Sequence, residues 1–157
     1  MEIGTIDDIG AFSVVCSEIA LKQESTQVSG AYIILDFKNC TLQHAYHMLS
    51  LRFVTKFVKY LQECWPCRLK GIYVINEPLY LHYVYRIMYP FFTKKLKQRC
   101  HIYGDNMKPL HKHIPRDMLP YELGGTAEPI NVPEFQSFIL GHEAYLQKIN
   151  QYGFKDD

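Results

Sequence analysis

Residues 31–37 read AYIILDF. The run is apolar up to Asp36, contains β-branched and aromatic side chains, and shows no polar–apolar alternation. Such a segment has no water-loving face, so it predicts a strand buried on both faces, as in a parallel sheet. Two other segments share this character: Leu69–Ile75, LKGIYVI, and residues 101–103, HIY, closed by Gly104 and Asp105. Helical spacing separates them. The order strand, helix, strand, helix, strand predicts an α/β fold.

Outward from the first strand, residues 11–23 predict a helix with Phe12, Val15, Cys16, Ile19 and Ala20 on one face. Residues 24–29 read as a polar turn that Gly30 ends. After the strand, Thr41 can cap a helix over residues 42–64 whose stripe is Leu49, Phe53, Phe57 and Tyr60 or Leu61. Trp65-Pro66 stops it, because the residue before proline avoids the helical region. Residues 109–120 read as loop and residues 119–126 as turn-rich. Pro133 opens a last helix to about Gln151, leaving a frayed tail over residues 151–157.

The second crossover spans residues 76–99, NEPLYLHYVYRIMYPFFTKKLKQR. Leu79, Tyr80, Tyr83, Val84, Ile87, Met88 and Phe91 recur at three- and four-residue spacing, the stripe of an amphipathic helix. Pro90 removes a backbone donor and crowds the preceding turn, so the helix should kink or break there. Lys94, Lys95, Lys97 and Arg99 follow. One reading is a lid with an apolar inner face, a hinge and a basic tip. The plainer one is a core helix with a proline kink, its lysines complementing the helix dipole.

The 157 residues carry a formal net charge of +1, too little for the positive field that nucleic-acid binding usually needs. An aromatic share of 14% suits a greasy cavity, a membrane-facing surface or a tyrosine-rich core. The opening MEIGTIDDIGAF is acidic and lacks the pattern of an export signal. No uncharged apolar stretch reaches the roughly 18 residues of a membrane span. Five cysteines without an export signal predict reduced thiols in a cytoplasmic protein.

Cys64-Trp65-Pro66-Cys67 matches C-x-x-C, a redox or half-zinc pattern. It falls at a helix C-terminus, where the dipole opposes a thiolate, and Cys16, Cys40 and Cys100 are scattered singly. His44 and His47 share a helix face and His111 and His113 share a loop, without carboxylates at ligand spacing. No metal site, cofactor or catalytic residue is expected. Ser13 and Ser17, four apart, either bond back to their own helix or face a ligand.

Four segments in order resemble the lipid-binding lobe of the CRAL-TRIO family, in its α-tocopherol transfer protein, clavesin and retinaldehyde-binding protein branch. They are GAYIILDF (residues 30–37), WPCRLKGIYVINEP (65–78), YPFFTKKLKQRCHIYGDN (89–106) and LPYELGG (119–125). The resemblance spans about residues 9–146. It implies one non-enzymatic lipid-binding domain over residues 1–150, without the family's N-terminal helical domain and opening strand. It implies a largely parallel twisted sheet flanked by helices, with a hydrophobic pocket under a gate helix. The gate corresponds to residues 78–99, hinged at Pro90. Ser13 and Ser17 match pocket serines of that branch, and Tyr60, Trp65 and Cys67 fall at its apolar pocket positions. Tyr80, Tyr83, Val84 and Ile87 would line the pocket from the gate. Arg68, Lys95 and Arg99 match its phosphoinositide-binding positions. The implied function is binding and transfer of a tocopherol-, retinoid- or phospholipid-like molecule, with peripheral contact to intracellular membranes. The alternative is an interaction module that pairs or self-associates through an exposed sheet edge. The family's D-x-x-G turn reads Asp36-Phe37-Lys38-Asn39 here, and Asn tolerates the positive φ that the turn requires.

Overall fold

The computed structural model describes residues 5–48 and 50–152. Leu49 and residues 153–157 of the expected tail lie outside the described residues. Three parallel strands form the sheet: β1 (Ala31–Asp36), β2 (Leu69–Ile75) and β3 (Cys100–Ile102), in the order β1-β2-β3. Tyr32 pairs with Gly71 and Asp36 with Ile75, and Ile72 pairs with Cys100. The central strand β2 is the most buried. β1 is an outer strand, and its Tyr32 is 41% exposed. The expectation of burial on both faces therefore holds for β2 and only in part for β1, which among the described residues lies at the sheet edge and leaves Tyr32 and Asp36 exposed.

Helix α1 (Ile6–Ala20) starts five residues before the expected position. Thr5 and Asp8 form a reciprocal capping box that satisfies two orphan donors. Residues expected as a polar turn form a short helix, α2 (Glu24–Ser29). The single helix expected over residues 42–64 is α3 (Leu42–Met48), α4 (Leu51–Lys59) and a π-helical turn at Tyr60–Cys64. Thr41 accepts from His44 N–H at 3.4 Å. Ser50 caps α4 by accepting from Phe53 N–H at 3.2 Å, which starts a second helix inside the same apolar pattern.

The segment expected as a gate is α5 (Leu81–Met88), a 3-10 turn at Tyr89–Phe91 and α6 (Lys94–Arg99). The helix breaks at Pro90, and Thr93 recaps α6 through Leu96 N–H at 3.3 Å. The last helix is also split, into α7 (Val132–Leu140) and α8 (Glu143–Ile149). No helix among the described residues is long and apolar enough to cross a membrane.

One sheet face, with Ile33, Leu35, Ile72 and Val74, packs on Val54, Val58 and Leu61 and on Leu81, Val84 and Met88 of α5. The other face places Ile34 and Tyr73 under the loop that supplies Leu110, Ile114 and Leu119. At the carboxyl ends of the strands, Asp36 accepts from Lys38 N–H at 2.9 Å and from the Asn76 amide at 2.8 Å. Asn39 takes φ 66°, as the turn requires. Glu77 accepts from Gly104 N–H at 3.0 Å, tying the start of the gate to the end of β3.

Tyr73 anchors an aromatic layer with His101 at 5.4 Å, His113 at 5.3 Å and Tyr103 at 5.9 Å between ring centroids. Burial pushes the Tyr73 phenol up to about 12. Burial, and then the neighbouring His113, lower the His101 pKa from its ordinary 6.5. Above that value His101 is neutral both folded and unfolded. As pH falls through it, the unfolded chain takes the proton first, so stability declines until folded His101 is protonated too. Urea unfolding from about pH 7 to about pH 5 should show this loss, and His101→Gln should flatten it. An equally steep acid limb in the variant would place the titration elsewhere.

Candidate functional site

Two clefts meet at the end of the π-helical turn. An apolar cleft of about 200 Å³ is lined by Cys16 and Ser17 of α1, Leu21 at its C-cap, Tyr32 of β1, and Trp65 and Cys67. A second cleft of about 150 Å³ is lined by Gln62, Arg68, Thr93, Lys95, Leu96 and Arg99. Trp65 and Cys67 border both. Trp65 can sit there because its extended backbone, φ −64° and ψ 113°, is the conformation a following proline imposes.

Ser17, Trp65 and Cys67 line the apolar cleft, whereas Tyr60, expected there too, lies outside its lining and packs on Trp65. The Tyr60 and Trp65 rings meet edge to face at 5.7 Å. Burial raises the Tyr60 pKa, partly offset by a hydrogen bond with Ser17. The Trp65 indole Nε1 is buried without a hydrogen-bond partner. Ser13 is exposed, outside the cleft lining, and donates to Ile9 C=O at 2.9 Å. Ser17 donates to Ser13 C=O at 2.7 Å. Both hydroxyls thus bond back to their own helix.

The gate residues go elsewhere. Val84 is 3% exposed in the core, while Tyr83 at 65% and Ile87 at 48% face solvent. The Tyr80 hydroxyl donates to Cys40 C=O. None of the four lines either cleft. The buried stripe of α5 is Leu81, Val84 and Met88, and the expected stripe is split. Leu79, Tyr83, Ile87 and Phe91 form an exposed apolar row along the gate, at four-residue spacing.

Arg68, Lys95 and Arg99 do converge, on the second cleft. Lys95 and Arg99 are one turn apart on α6. Arg68 is delivered from the opposite wall by the segment entering β2, whose position is set when Ala31 N–H donates to Arg68 C=O at 2.9 Å. Among the described residues none of the three forms an ion pair, whereas Lys56 reaches Asp7 at 3.8 Å. Three cations around one small cleft can take a multiply charged anion by charge-assisted hydrogen bonds.

Sequence reasoning passed over Gln62 and Thr93. The Gln62 carboxamide accepts from Thr93 N–H at 2.5 Å and donates to Phe91 C=O at 3.3 Å. No local pattern marks a glutamine that bonds backbone about thirty residues away; the Thr93 cap before Leu96 was the only signal in reach. Cys64 is exposed and Cys67 half-buried, both free.

The CRAL/TRIO domain model matches residues 4–125. An α-tocopherol transfer protein-like protein of Mus musculus is 32% identical over 126 residues, covering 80% of this chain and 36% of that protein. Clavesin-2 of Homo sapiens is 30% identical over 139 residues, covering 88% of this chain and 42% of its own. Clavesin-1 of Xenopus laevis is 31% identical over 124 residues, 79% of this chain and 37% of its own. The chain thus spans about two-fifths of the length of these curated relatives. The match runs through all three parallel strands, the gate and both clefts, and on that footing the chain belongs to the CRAL/TRIO domain family.

Proposed function

We propose that this chain binds a hydrophobic lipid and delivers it at membranes bearing phosphoinositide headgroups, as a carrier rather than an enzyme. The observation that carries the reading is the adjacency of the two clefts. An apolar cleft and a cleft ringed by Arg68, Lys95 and Arg99 share Trp65 and Cys67 as a common wall, so one surface offers both a greasy and an anion-binding end. The family and the names of its relatives agree with lipid handling. At about 200 Å³ the apolar cleft is smaller than the roughly 300–1,000 Å³ of typical ligand sites, and residues 78–99 do not line it, so lipid entry requires its own walls, α1 and the segment of Trp65 and Cys67, to part. The Pro90 break and the extended backbone at Phe92 supply a separate joint, between α5 and the α6 wall of the basic cleft. Membrane contact would favour the open form by binding it more tightly.

The chain purified under mild conditions and extracted with organic solvent should release a stoichiometric hydrophobic molecule, identified by mass spectrometry. A folded protein with nothing to extract would count against the carrier reading. A second reading, self-association, draws on β1 and β3 being outer strands among the described residues. Sedimentation showing a mass that rises with concentration, with no extractable lipid, would favour it.

A further inference from the structure

We infer that Gln62 is a positioning residue that couples the Pro90 joint to the basic cleft. The joint exposes two backbone groups outside any α-helical ladder, Phe91 C=O and Thr93 N–H. One carboxamide takes both, across 29 and 31 residues of sequence. Thr93 is the cap of α6, so holding Thr93 holds Lys95 and Arg99, which follow it by two and six residues. Gln62 itself precedes Arg68 by six residues on the opposite wall, and all five side chains line the same cleft. The two hydrogen bonds therefore span both walls that carry the cations. An anion gripped by Arg68, Lys95 and Arg99 draws the same walls together. Occupancy of the cleft and the Gln62 bonds then stabilise each other, because coupling between two events is reciprocal. A headgroup would in this way order the gate's distal end while membrane contact acts on its apolar row.

The inference rests on the headgroup reading, and the test separates the two. Amide hydrogen exchange at residues 91–96 is compared with and without phosphatidylcholine vesicles containing phosphatidylinositol bisphosphate. In the wild type the vesicles should slow exchange there. Gln62→Met keeps the volume and removes both bonds without touching a charge. It should speed exchange at residues 91–96 and weaken vesicle binding about fivefold. Its salt dependence should match the wild type, because the cations are intact. Equal vesicle binding by the variant, or unchanged exchange at residues 91–96, would overturn the coupling. If the wild type ignores the vesicles altogether, the headgroup reading fails and takes the coupling with it. Should Gln62→Met fail to fold, the wild-type exchange comparison decides alone: slowing confined to residues 91–96 supports the coupling, and no slowing refutes it.

Discussion

Gly30→Ala is expected to cost about 4 kcal/mol, a large part of the roughly 5–15 kcal/mol that holds a domain together. Two penalties combine. Gly30 has φ 81° and ψ −173°, a region that is essentially glycine-only and costs other residues about 1–3 kcal/mol. A Cβ there would also sit 2.1 Å from the Arg68 carbonyl oxygen and 2.8 Å from Arg68 Cβ. That carbonyl is the acceptor for Ala31 N–H, so neither strand can back away without losing the first bond of the β1–β2 pairing. Gly10→Ala is the matched control. It lies inside α1, and its Cβ would meet nothing within 4 Å. It should stabilise by about 0.5–1 kcal/mol through helix propensity. Urea unfolding of both variants gives the comparison. A Gly30→Ala midpoint near that of the wild type would mean that β1 can shift against Arg68.

The second large effect is on membranes. The combined Arg68→Ala, Lys95→Ala and Arg99→Ala variant should lose about a hundredfold in partition to phosphoinositide vesicles, from about 1 kcal/mol per cation near an anionic surface. Stability should change by less than about 0.5 kcal/mol, because these side chains form no ion pair among the described residues and the strand contact of Arg68 comes from its backbone. The wild-type partition should fall steeply with salt, and that of the variant should not. Flotation equal to the wild type would show that some other surface meets the membrane. Lys56→Ala, whose partner is Asp7, serves as a charge control and should leave flotation near wild type.

Much of the backbone was legible from local residue order. The apolar runs marked all three strands, and β2 has the boundaries its sequence predicts. Pro90 announced the break after α5 and Trp65-Pro66 the end of the π-helical turn, whereas the left-handed turn at Asn39 was legible only through the family's D-x-x-G pattern. Smaller divisions were hidden where two signals competed. Ser50 starts α4 inside a continuous apolar pattern, and Gly141 and His142 separate α7 from α8. The candidate site was legible chiefly through family resemblance. Nothing in the spacing alone joins Arg68 to Lys95 and Arg99.

Local chemistry by itself determined the α/β order, the parallel strands and the helix break at Pro90, because propensity, proline and caps act within a few residues. Tertiary structure alone decided which face of α5 is buried. Leu79, Tyr83 and Ile87 offer one stripe and Leu81, Val84 and Met88 another, so helical periodicity allows either. Packing on Val54, Val58 and the sheet selected the second and left the first in solvent. The Gln62 bridge and the three-cation cleft belong to the same category, since each joins chain segments whose separation in sequence carries no local signal.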